Sequence, residues 1–94
     1  MRHAGVRVEE GANGALRVVG TASAESLWEI NALSLEVAHC AAAVAGFYAE
    51  YTEKREPDLL ISEVSLAPVA GGLRASCDLR HPTGKDISWL SRVL

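Results

Sequence analysis

The stretch from Ser23 to about Arg55 contains no proline and a single glycine, Gly46, and Pro57 follows shortly after. An interior proline costs a helix about 3 kcal/mol, so its absence permits one unbroken helix and Pro57 marks its stop. Two start signals stand at the front. Ser23 can cap with Glu25 in the first turn, and one turn later Ser26-Leu27-Trp28-Glu29 has the spacing of a capping box. Placing the start at Ser23 predicts a helix of roughly 33 residues, ~50 Å long at 1.5 Å per residue.

Stepping about 100° per residue gathers Ile30, Leu33, Val37, Cys40, Ala41, Val44, Phe47, Tyr48 and Tyr51 into about one-third of the circumference. That stripe is expected to lie on the rest of the domain. A second stripe comprises Trp28, Leu35, Ala38, Ala42, Ala45, Gly46 and Ala49, and Glu29, Glu36, His39, Glu50 and Lys54 form a narrow polar strip between the two. A helix apolar on two sides needs cover on two sides, and one sheet covers one. The small residues of the second stripe allow close backbone approach, which favours another helix there.

The flanking segments read as strands. Val6 and Val8 alternate with Arg7 and Glu9, Gly11-Ala12-Asn13-Gly14 supplies turn chemistry, and Leu16 and Val18 flank Arg17, so residues 4–20 are expected to form a hairpin. Residues 59–69 carry strand-type side chains whose apolar phase slips between Ile61 and Val64. A bulge near Ser62-Glu63 restores one inward face for Leu59, Ile61, Val64 and Leu66. After Ala70-Gly71-Gly72, Leu73, Ala75, Cys77 and Leu79 alternate with Arg74, Ser76, Asp78 and Arg80. His81-Pro82-Thr83-Gly84 suits a type I turn. A last strand is expected from Lys85 to about Val93 with Ile87 and Trp89 inward, although its final residues also suit a helical turn. The expected fold is a single α+β domain over residues 1–94: an antiparallel β-sheet, in the order β-β-α-β-β-β, packed on one long α-helix.

Composition narrows the class. The chain has 94 residues, 49% of them hydrophobic, which is enough apolar surface to fold. Its aromatics are limited to Trp28, Phe47, Tyr48, Tyr51 and Trp89, so the core must be aliphatic and alanine-rich. The first ten residues offer no apolar leader before Glu9-Glu10, which points to the cytoplasm, where Cys40 and Cys77 remain reduced thiols. The weakly polar run from Val37 to Ala49 falls short of the ~20 residues that span a bilayer, so no membrane is expected. A net charge of -3 with scattered arginines disfavours nucleic acid. Arg74, Arg80, Lys85 and Arg92, with Trp89 nearby, give a basic tint that Asp78 and Asp86 dilute.

Reactive constellations are sparse. Glu36 and His39 stand at the Glu-x-x-His spacing of di-iron bundles, but those sites draw carboxylates from several helices. His39, Cys40, Cys77 and His81 form a nominal zinc set that geometry opposes: His39 and Cys40 diverge by about 100° on a helix. Cys77 and His81 stand about 13 Å apart along a strand. No metal or other cofactor is expected. Cys40 or Cys77 with a histidine is the only nucleophile candidate, and nothing in the spacing supports it; the glycine turns lack the Lys-Ser/Thr of a phosphate loop. The leading expectation is a non-enzymatic homo-oligomer, a dimer or higher, joined through Trp28, Leu35, Ala38, Ala42, Ala45, Gly46 and Ala49; an unidentified protein partner is the variant on the same face. The alternative is a small ligand-binding or catalytic domain with a pocket at the helix–sheet edge of a dimer, using Glu36, His39, Tyr48 and Tyr51.

Overall fold

In the computed structural model, which describes residues 5–23 and 26–94, the hairpin forms where the alternation places it. Strands β1 (Val6–Glu10) and β2 (Leu16–Ala22) pair antiparallel, with Val8 opposite Val18. The Gly11 N–H donates to the Ala15 carbonyl at 2.9 Å, and Asn13 takes a left-handed φ of 55°, a conformation that asparagine tolerates better than most residues. Ala4, at the expected start of the hairpin, lies outside the described residues, as do Ala24 and Glu25.

The second edge of β2 pairs antiparallel with the last strand, β5 (Gly72–Arg80), so that Leu16 faces Leu79 and Val18 faces Cys77. Along the far edge of β5 lie two short strands, β3 (Leu60–Ile61) and β4 (Ser65–Val69). Ile61 is opposite Leu79 and Ser65 is opposite Ser76, so Ser62, Glu63 and Val64 span what Asp78 and Cys77 span on the partner. That extra residue is the expected bulge. Ser62 stitches it down: its N–H donates to the Asp78 carbonyl at 2.9 Å, and its Oγ accepts from the Asp78 N–H at 2.8 Å. The result is an α+β fold with a five-stranded antiparallel sheet and one long helix.

The helix α1 spans Leu27–Tyr51, 25 residues, and is shorter at both ends than the sequence reading predicts. Its N-cap is Ser26, not Ser23: the Ser26 Oγ accepts from the Glu29 N–H at 3.2 Å, the serine half of the later capping box. At the other end, Glu53 and Lys54 both adopt left-handed φ angles, 55° and 60°, and the Lys54 N–H donates to the Ala49 carbonyl at 2.7 Å. Two successive left-handed residues end the helix before Arg55 and Pro57 are reached.

Of the two readings of the final segment, the helical turn holds and the strand does not. Residues Ser88–Arg92 form a 3-10 helix. The cause is local: Asp86 Oδ1 accepts from the Ser88 N–H at 2.8 Å and from its hydroxyl at 2.6 Å, which turns the backbone before it can join a ladder. The Ile87 N–H instead donates to Gly14 in the hairpin turn at 2.9 Å. Ile87 is still fully buried, as expected, while Trp89 is only partly so.

The core lies between one sheet face and α1. Leu16, Val18, Ala75, Cys77 and Leu79 from the sheet meet Leu33, Val37, Ala41, Val44 and Tyr48 from the helix, with Leu59, Ile87 and Leu90 closing the ends. Gly20 sits where the two layers approach most closely. A Cβ there would stand 3.0 Å from both Leu33 Cδ1 and Val37 Cγ2, closer than carbon contacts normally come. The helix covers β5 and β2 but not the β3–β4 edge. Leu66 is directly opposite fully buried Ala75 and so shares its face, yet it is 47% exposed. Ile61, opposite Leu79, is likewise half exposed, whereas Leu59 and Val64 reach the core.

Candidate functional site

The predicted second stripe of the helix points away from the sheet. Buried Leu33, Val37, Ala41, Val44 and Tyr48 mark the inner face, and Trp28, Leu35, Ala42 and Gly46 are exposed on the opposite one. Trp28 is 79% and Leu35 59% exposed. Ala38, Ala45 and Ala49 are half-buried on the flank, and Ala45 touches the core. A Cβ built on Gly46 would meet nothing within 4 Å. Among the described residues nothing therefore requires glycine there, although glycine in a helix interior costs about 1 kcal/mol relative to alanine. By length and composition alone α1 is also apolar enough to cross a membrane, with a mean hydropathy of 1.4 and 22% of that window buried in the domain.

Two residues assigned to the inner stripe lie at its margin. Phe47 and Tyr51 are exposed and stack on each other with ring centroids 6.1 Å apart. Tyr51 also meets Trp89 at 5.4 Å. This aromatic group joins the end of α1 to the C-terminal 3-10 helix and extends the apolar surface around the helix.

A polar centre that the sequence reading missed lies under the end of α1. Tyr48 is buried, and its hydroxyl donates to Glu56 Oε1 at 3.3 Å. The same oxygen accepts from Lys85 Nζ at 2.7 Å and lies 3.2 Å from His81 Nε2. His81 is almost wholly buried, and its Nδ1 receives the Thr83 N–H at 3.2 Å, with the Thr83 hydroxyl 2.8 Å away. A backbone N–H only donates, so Nδ1 holds a lone pair, and the network assigns the proton to Nε2. Nε2 faces Glu56 at ion-pair distance, but it is out of line for a hydrogen bond. The Lys85 hydrogen bond holds the Glu56 carboxyl below the usual carboxylate range and raises Lys85 in return, while burial, then Glu56, pushes Tyr48 up. The centre fastens the His81–Gly84 turn, closed by a Gly84 N–H to His81 carbonyl bond at 2.9 Å, to the chain leaving the helix. The sequence signal was available in His81-Pro82-Thr83-Gly84, where threonine two residues after histidine can reach back to its ring.

The four residues considered for an edge pocket do not converge. Tyr48 faces the sheet, Tyr51 stands with Phe47 and Trp89, His39 is exposed, and Glu36 lies on the flank. Among the described residues no three His, Cys, Asp or Glu side chains gather as a metal site. Cys40 and Cys77 are free thiols, and burial raises both above the usual thiol range. They favour the protonated, unreactive form.

The fold thus defines the class: an α+β domain whose helix is covered on one side and apolar on the other. Comparison with protein-family models, with curated proteins and with solved structures finds no significant match.

Proposed function

We propose that this protein is a small non-enzymatic assembly module of the cytoplasm, in which two copies join through the outward face of α1. Gly46 carries this reading. Among the described residues its missing side chain serves no contact, and it lies in line with the small residues Ala42, Ala38 and Ala49, on the same helix face as exposed Leu35 three turns away. Close approach of a second helix gives that smallness a purpose, and Trp28 and Leu35 supply the bulk that such contacts bury. The two thiols, held protonated, suit a reducing compartment.

Light scattering at tens of micromolar tests the reading, with a dimer or higher assembly as the expected result. Gly46→Leu should shift the mass to that of a monomer. Gly46→Ala adds only a methyl group and should stabilise the dilute monomer by about 0.5–1 kcal/mol, seen as a raised unfolding midpoint. A wild-type monomer throughout that range overturns self-assembly. Capture of that monomer by phospholipid vesicles would redirect the helix face to a membrane.

A further inference from the structure

The sheet face turned away from α1 carries a cleft of about 390 Å³ between the hairpin turn and β3, within the volume range of small-ligand sites. Arg17 and Asp78 are cross-strand partners on this face, joined by a 3.1 Å bond from Arg17 Nε to Asp78 Oδ1. Arg80 lies two residues beyond Asp78 on the same face, diagonal to Arg17, and lines the cleft as well. Asp78 is the one carboxylate among the lining residues, and it is engaged with Arg17. Among the described residues Arg80 has no carboxylate within ion-pair distance. The cleft therefore carries one uncompensated positive charge in a chain whose net charge is -3. Its apolar wall is Leu60, which is 50% exposed and stands directly opposite Arg80 on the same face, with Ala12 of the turn also lining the cleft.

We propose that this cleft binds a small organic monocarboxylate, its head group on the Arg80 guanidinium and its hydrocarbon tail along Leu60. The planar fork of an arginine matches a carboxylate with two parallel hydrogen bonds. A single free positive charge selects a monoanion, since a dianion would leave surplus negative charge beside Asp78. The apolar wall selects a ligand with a tail over a bare anion. The site lies on the opposite side of the sheet from α1, so it stands or falls separately from self-assembly.

Amide chemical-shift titration with sodium hexanoate tests the assignment, with hexanol and inorganic phosphate as controls. Saturable shifts confined to residues 12–17, 60–62 and 78–80 are expected. Hexanol and phosphate should each bind at least about tenfold more weakly, and Arg80→Gln should weaken hexanoate by about tenfold, the loss expected for one charged hydrogen-bonded contact. Leu60→Ser, at the apolar end, should weaken hexanoate severalfold and keep the spectrum of the folded chain. Shifts that scatter or fail to saturate overturn the proposal. So does equal binding of hexanol or phosphate, or an affinity unchanged in both variants.

Discussion

The two faces of α1 are built from similar residues and meet opposite fates. On one, Leu33, Val37, Ala41, Val44 and Tyr48 are at most 5% exposed; on the other, Trp28 and Leu35 are among the most exposed side chains. Hydrophobicity alone did not choose between them. The choice follows from shape, because the inner face presents branched side chains at a spacing that the sheet can accept, and Gly20 opens the space that lets Leu33 and Val37 come down. The outer face has tryptophan and leucine near one end and small residues beyond, and no strand of the sheet reaches it.

Matched substitutions are the strongest way to break this comparison. Leu33→Ala should cost about 2–5 kcal/mol, the range for emptying a buried leucine site. Leu35→Ala, two residues away, should change the dilute monomer by no more than about 0.5 kcal/mol. Chemical denaturation of both variants at low protein concentration measures the contrast, and equal losses would mean that the faces are not distinct. Next in size, Gly20→Ala should cost about 1–3 kcal/mol, because the added methyl overpacks the contact with Leu33 and Val37. A neutral result would show that α1 can lift away from the sheet.

The smallest effect concerns the polar tip of the buried face. Glu56 accepts from Tyr48 and Lys85, and its folded pKa is depressed mainly by the Lys85 hydrogen bond. Its contribution is therefore full above the ordinary glutamate pKa, about 4.3, and is lost as pH falls through the lower folded value. Thermal midpoints of wild type and Glu56→Gln should differ near neutrality and converge in acid. Parallel curves would show that Glu56 does not respond to its neighbours.

The sequence made the sheet legible wherever alternation was uninterrupted. Val6 to Val18 and Leu73 to Leu79 fall on their expected faces, and even the slip between Ile61 and Val64 correctly signals a bulge. The errors lie where a local hydrogen bond or a backbone torsion overrides the pattern. Asp86 curls the chain at Ser88, and Glu53 with Lys54 ends the helix by turning left-handed, a conformation that neither residue type announces. The outward stripe was legible because composition and helical period define it. The Tyr48–Glu56–His81 centre was not, since its members come from separate segments and meet only after folding. The Arg80 cleft was missed for a related reason: the basic tint was visible, but whether Arg80 stays unpaired in the cleft depends on which arginine Asp78 takes.

The pairing of β2 with β5 places Arg17 against a residue 61 positions later. During synthesis this gives the chain a definite order of events. The hairpin and the helix can emerge and begin to form from local contacts, but the floor on which the helix rests is incomplete until the last quarter of the chain is made. For that interval the face of α1 that later becomes core is only partly covered, because β2 is in place and β5 is not. Among the described residues Trp28, Leu35, Ala42 and Gly46 stay exposed in the finished domain, so it shares that surface with the nascent chain. In the proposed assembly, a docking copy would meet the same residues before and after folding is complete.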